Sequence, residues 1–206
     1  MAKFRQKNSN TQEKPLNWQQ KLLLDLHDVL YVLAVFMLIY MIFFRVVVVV
    51  GTSMEGTLID GDRLILLSST VYKNPQQGDI IVASKESFKS GECIVKRVIA
   101  TEGQKVDIRE GVVYVDDVAL QETYLDDGVF TEEKDIKVSF PLVVEEGKIF
   151  VLGDNRGASL DSRSSDVGLI DERQVLGKAI FLMMPGTKGG TVEADNGRIG
   201  AITDGR

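Results

Sequence analysis

The sequence predicts a mostly β protein with one N-terminal transmembrane helix, and three observations carry that prediction. A single long apolar run lies near the N-terminus, between the basic start of the chain and an acidic remainder. After it, hydrophobic residues come in short valine- and isoleucine-rich runs separated by turn residues. No amphipathic helix of comparable strength interrupts these runs.

Residues 1–26 form the first segment. Lys3, Arg5, Lys7, Lys14 and Lys21 against Glu13 give residues 1–21 a charge of +4, which leaves −10 on the rest of a chain whose net charge is −6. From Val29 to Phe44 there are 16 uncharged residues, about 24 Å of helix against a hydrocarbon core of about 30 Å. Leu22 to Leu26 and Val46 to Val50 extend the apolar character. Arg45 can snorkel to the headgroups, so the span is placed over residues 27–47. No small-residue cleavage site of Ala-x-Ala type follows Phe44, and the run reads as a retained anchor. Basic residues before it put the N-terminus in the cytoplasm and the rest outside.

Residues 48–186 are expected to form the extracytoplasmic β-rich domain. Candidate strands are Val46–Val50, Arg63–Leu67, Asp79–Ala83, Cys93–Ile99, Lys105–Ile108, Val112–Val115, Ile149–Leu152 and Val175–Met183. Glu110-Gly111 lies between two of them and reads as a hairpin turn. Residues 116–146 are acidic and read as a solvated excursion from the core. Residues 187–206 hold five glycines and few large apolar side chains, the composition of a disordered tail.

The acidic balance argues against a nucleic-acid partner. One cysteine, Cys93, excludes an intrachain disulfide and a cysteine-rich metal site, and no metal or organic cofactor is expected. The only histidine, His27, lies on the other side of the apolar run from Ser53, so a serine–histidine–aspartate triad cannot be built within one chain.

Three segments carry the chemistry. Gly51-Thr52-Ser53-Met54-Glu55-Gly56-Thr57 puts a serine on a tight connection directly after a strand. By itself it reads as an ordinary turn serine. In Ile94-Val95-Lys96-Arg97-Val98-Ile99, alternation sends the two basic side chains to opposite faces of an apolar strand. One of them must face the core, and a lysine stripped of water, unlike an arginine, can lose its proton near neutral pH. The plain alternative is a surface lysine on an edge strand. Gly153-Asp154-Asn155-Arg156, with Ser159-Leu160-Asp161-Ser162-Arg163, crowds charge and hydroxyls into one loop. It reads either as a hydrogen-bonded turn or as a buttress that orients a lysine.

Together these segments resemble the bacterial type I signal peptidases, whose pattern is Ser-Met-x-Pro-Thr, then Lys-Arg-Val, then Gly-Asp-Asn-Arg with Ser-x-Asp-Ser-Arg. The matching residues are Ser53 to Thr57, Lys96 to Val98, Gly153 to Arg156 and Ser159 to Arg163. The resemblance implies the family's β-rich protease core and a serine endopeptidase that removes signal peptides from exported preproteins at the outer face of the membrane. Ser53 is then the nucleophile, Lys96 the general base and Ser159 the hydroxyl that orients Lys96. Asp161 and Arg163 form a supporting ion pair, with Asp154 and Arg156 in the same supporting loop. Met54 and Val50 are candidates for pockets that admit alanine-sized side chains. The partners implied are preproteins and the lipid bilayer, together with a secretion translocon.

Two departures stand out. Gly56 replaces the proline of the pattern, which removes a φ restraint worth about 0.4–1 kcal/mol and is expected to loosen the serine loop. Gly51 stands where some relatives carry a hydroxyl, so more of the oxyanion stabilisation falls to the Ser53 N–H. Two rival readings are a non-proteolytic assembly factor for surface proteins on the same fold and a self-cleaving repressor. The second calls for a DNA-binding helix pair, and the basic N-terminal stretch is too short to hold one.

Overall fold

The computed structural model describes residues 17–84, 93–187 and 196–202. The chain divides into two compact units, Met1–Tyr40 and Met41–Arg206. The described part of the first unit is helix α1, Trp18–Phe43, which runs on into the second. None of its 26 residues is buried within the chain, and apolar side chains cover its whole circumference from Val29 onward. At about 1.5 Å per residue it is long enough to cross a bilayer, which fits a membrane anchor.

This helix corrects the span of residues 27–47. It begins at Trp18 and ends at Phe43, and Phe44–Val48 is strand β1 instead, two residues ahead of the expected Val46–Val50. The reason is pairing: β1 lies antiparallel to β2, Arg63–Ser68, with Phe44 opposite Leu67 and Val48 opposite Arg63. Consecutive β-branched valines favour that extended ladder over further helix.

The strands described in the second unit all pair antiparallel. Its remaining strands are β3 (Ile80–Ser84), β4 (Cys93–Ala100), β5 (Lys105–Arg109), β6 (Val112–Val115), β7 (Val118–Ala119), β8 (Leu142–Val143), β9 (Lys148–Leu152), β10 (Ile170–Asp171), β11 (Val175–Met184) and β12 (Gly200–Ala201). The larger sheet has the order β1-β2-β11-β3-β4-β9-β10, with β12 paired to β11, and the smaller one the order β7-β6-β5-β8. Glu110 and Gly111 both take positive φ in the two-residue turn between β5 and β6, the geometry that matches strand twist in a tight hairpin. Asp116 and Asp117 do the same between β6 and β7, so this acidic pair is a turn. One core cluster joins Val49, Met54 and Leu58 to Leu64, Leu66, Ile80 and Val82 beneath the Ser53 loop. Another joins Val98, Ile149 and Val151, and a third packs β5 and β6 on Phe150 and Leu152.

The expected disordered tail needs correction over residues 196–202. Gly200 and Ala201 pair with Leu182 and Phe181, and Ile202 packs against the first core cluster. Arg198 donates to the fully buried Asp62 carboxylate at 3.0 and 2.7 Å and to the Thr57 carbonyl at 3.1 Å. A composition poor in apolar residues is still held here by one ion pair and one strand edge. The remainder of the tail, residues 188–195 and 203–206, and residues 1–16 of the basic segment lie outside the described residues.

Candidate active site

Ser53 sits in a loop closed at its base by backbone bonds, Val49 N–H to the Asp62 carbonyl at 2.8 Å and Gly61 N–H to the Val49 carbonyl at 2.9 Å. Met54 and Leu58, each 1% exposed, anchor it from below. Both the Thr57 and Leu58 N–H groups donate to the Met54 carbonyl, at 3.0 and 2.8 Å. The turn contains Gly56 at φ +110°. Proline is locked near −65°, so this loop could not accommodate the family's proline in its present path. The expectation of a merely loosened proline turn is therefore replaced by that of a differently shaped one.

Lys96 reaches Ser53 from β4, whose residues pair with β3 on one side and β9 on the other. Its Nζ lies 2.7 Å from Ser53 Oγ and 2.9 Å from the Val95 carbonyl. The side chain is buried, and loss of water pulls its pKa down to about 8, against the opposing pull of Asp161 and Asp154 and with help from Lys134. Arg97 leaves the same strand on the other face and is buried as well, whereas alternation required only one of the two to face the core. Its Nε and Nη2 grip Asp154 at 2.9 and 2.8 Å, Nη1 donates to the Gly78 carbonyl, and its guanidinium stacks 3.7 Å from the Tyr124 ring centre. Thr57 Oγ1 donates to the same Asp154 carboxylate at 2.6 Å, tying the serine loop to the 153–163 loop. Asn155 adds two further ties, from its backbone N–H to the Ser53 carbonyl at 3.1 Å and from its side chain to the Thr52 carbonyl at 3.1 Å.

Asp161 and Arg163 form a two-pronged pair at 2.8 and 2.7 Å with both side chains fully buried. Burial works to raise the Asp161 pKa, but the Arg163 guanidinium outweighs it and holds the carboxyl below its ordinary value. Asp161 also accepts the Gly153 N–H at 3.1 Å. Arg156 pairs with Glu122 and donates to Thr131 Oγ1 at 2.5 Å, so the 116–146 excursion is pinned to this loop. Ser159 is fully buried, and its hydroxyl makes no hydrogen bond of good geometry among the described residues. It lies close enough to favour the Asp161 carboxylate. The expected bond from Ser159 to Lys96 is thus not formed, and the second bond of Lys96 goes to the Val95 carbonyl.

A cleft of about 650 Å³ opens beside the pair and is lined by residues 47–50, Ser53, Val82, residues 93–96 and Leu176. Val50, 86% exposed, borders this cleft. Met54 does not: its side chain points into the core, where an apolar group anchors the loop. The Ser53 N–H has no acceptor among the described residues. Within the described residues no three His, Cys, Asp or Glu side chains converge on a metal-sized site. Sequence reasoning quoted Thr57 and Arg97 within the matching motifs but gave them no role in the site, and it missed Glu122 and Tyr124 altogether. Arg97 also carried a local signal, as a charge in an apolar strand. The others lie far along the chain from the groups they meet.

Comparison with known proteins adds the following. Residues 24–184 match the family described as "Signal peptidase, peptidase S26". The chain is 32% identical over 180 residues to Signal peptidase I of Bacillus licheniformis, covering 85% of this chain and 95% of that protein. It is 35% identical over 148 residues to Signal peptidase I T of Bacillus subtilis, covering 69% and 75%. A solved signal peptidase I from Enterococcus faecalis aligns at 32% identity and a TM-score of 0.43, over 52% of this chain and 97% of that one.

Proposed function

The chain belongs to the signal peptidases of family S26, and from that premise we propose that it cleaves signal peptides from preproteins with a Ser53/Lys96 dyad. The observation that carries the dyad is the 2.7 Å contact between Lys96 Nζ and Ser53 Oγ, made by a lysine whose pKa is pulled down to about 8. A neutral amine at that distance can take the hydroxyl proton as the oxygen attacks the scissile carbonyl. The oxyanion is received by the Ser53 N–H. Lys96 passes its proton to the leaving amine, and the acyl-enzyme is then hydrolysed by a water that the neutral lysine deprotonates.

Ser159 takes the role of orienting Lys96 during this cycle. Its support is a buried hydroxyl that lies near the Asp161 carboxylate yet makes no hydrogen bond of good geometry among the described residues, and a buried hydroxyl left poorly bonded costs about 1–3 kcal/mol. Asp161 with Arg163, and Asp154 with Arg97, hold the loop on which Ser159 stands. The cleft bordered by Val50 receives the residues before the cut. We place the N-terminus in the cytoplasm and the peptidase unit outside, on the positive charge that precedes α1, with the bilayer and a translocon as partners. The non-proteolytic alternative is not favoured, since Ser53 and Lys96 are both present and in contact.

The test is cleavage of a preprotein after an Ala-x-Ala segment by the purified full chain in detergent. Ser53→Ala and Lys96→Ala are each expected to lower kcat by at least about a thousandfold. Undiminished cleavage by Lys96→Ala would sink the dyad.

A further inference from the structure

Ser159 presents a positional problem. Its hydroxyl is fully buried near the Asp161 carboxylate but makes no hydrogen bond of good geometry among the described residues, so its position depends heavily on how the backbone is held. The Ser159 N–H donates to the Asn155 carbonyl at 2.9 Å. The other end is held from outside the loop: Lys134 Nζ donates to the Ser159 carbonyl at 2.6 Å and to the Gly157 carbonyl at 3.1 Å. Other ties from the same stretch end elsewhere on the loop and beyond it, Glu132 at Arg163 and Asp135 at Ser165. Lys134 alone among these three ends on residue 159. On the inner side, a Cβ added to Gly153 would lie 2.1 Å from Ser159 Oγ and 2.4 Å from the Ser53 carbonyl oxygen. Gly153 thus lies packed between Ser159 and the Ser53 carbonyl with no room for a side chain.

We propose that Lys134 is a positioning residue for the Ser53–Lys96 pair: it clamps the Ser159 carbonyl, fixes that hydroxyl behind Gly153 and sets a positive charge beside the site. The inference rests on the Ser/Lys reading above. Charged groups face Lys96 from two elements. Asp161 and Asp154 come from the 153–163 loop and favour its protonated form, while Lys134 comes from the excursion and opposes it. Each of the two carboxylates is itself paired, Asp161 with Arg163 and Asp154 with Arg97. The Lys134 amine is held below its ordinary pKa, first by burial and then by Arg163, with Asp161 working against both.

The experiment follows cleavage of a peptide with an Ala-x-Ala site by the full chain in detergent, across the acid limb of the pH profile. Lys134→Met is expected to lower kcat about tenfold with KM within about twofold, and to move the acid limb to higher pH. Lys134→Arg, which keeps the charge and the donors, is expected to restore both. Unchanged kcat and an unmoved limb in Lys134→Met, or a loss carried wholly by KM, would overturn the proposal. Lys134→Gln gives the same reading if the methionine variant fails to fold. Raising salt should move the wild-type limb toward that of Lys134→Met and leave the variant's in place, because the charge of Lys134, which is only partly shielded from water, is screened; equal shifts in both would overturn the electrostatic part. Persistent cleavage by Ser53→Ala or Lys96→Ala would overturn the dyad itself. Loss of cleavage in those variants with Lys134→Met unaffected would overturn this inference alone.

Discussion

Lys96 and Arg97 are neighbours in β4, leave it on opposite faces, and are both buried. One is stripped of water against Ser53 Oγ, and the other is locked in a two-pronged bond with Asp154. The strand thus separates a lysine free to lose its proton from an arginine that cannot, and the loop that Arg97 grips is the loop that carries Ser159.

Removing one side of the Arg97–Asp154 pair takes the opposite charge away from a buried group. Arg97→Ala or Asp154→Ala is expected to cost about 3–5 kcal/mol of stability, read from denaturant unfolding in detergent. A loss below about 1 kcal/mol would show that the pair does not hold the two loops together.

The pKa of Lys96 near 8 in the folded chain lies below its ordinary value, so the unfolded chain binds the proton more tightly. Activity is expected to rise with pH through about 8 as the amine becomes neutral. Stability carries the same sign: at neutral pH the folded state bears the cost of a buried ammonium, and that cost is relieved as pH rises from about 8 toward about 10.5. Lys96→Met, which fills the space without charge, is expected to be inactive yet more stable at pH about 7 by about 1–3 kcal/mol, measured by thermal unfolding. A less stable Lys96→Met would count against a buried, desolvated amine.

Gly56 at φ +110° meets no neighbour within 4 Å of an added Cβ, so backbone strain alone decides what it tolerates. Gly56→Ala is expected to cost about 1 kcal/mol and Gly56→Pro about 3 kcal/mol or more, with lower kcat, because proline cannot take that φ. Gain of activity on restoring the family's proline would mean that the loop can switch to another path.

Gly153→Ala is expected to cut kcat by at least about a hundredfold, since its methyl group would push into Ser159 Oγ and the Ser53 carbonyl. Gly157→Ala, in the same loop with no neighbour within 4 Å of an added Cβ, is the control and is expected to stay within about twofold.

Arg198→Ala is expected to lower stability by about 3 kcal/mol, because it strips the cation from the buried Asp62 carboxylate and releases the Thr57 carbonyl. Unaltered stability and activity would return residues 196–202 to the status of a dispensable tail.

The sequence by itself determined the elements whose causes are local. Apolar continuity marked α1, short valine- and isoleucine-rich runs between turn residues marked β4 to β6, and Glu110-Gly111 between two such runs marked the hairpin turn. Order of motifs singled out Ser53, Lys96 and the 153–163 loop, because residue type and spacing are all that chemical competence requires. What tertiary structure alone decided depends on contacts between distant residues. The end of α1 at Phe43 is set by pairing with β2, and the turning of Met54 into the core by cluster packing. The order in residues 196–202 comes from Asp62, more than 130 residues away, and the placement of Ser159 from Lys134, 25 residues back along the chain. The lowered pKa of Lys96 belongs to the second group too, since desolvation is a property of everything packed around the amine and not of the lysine or its neighbours in sequence.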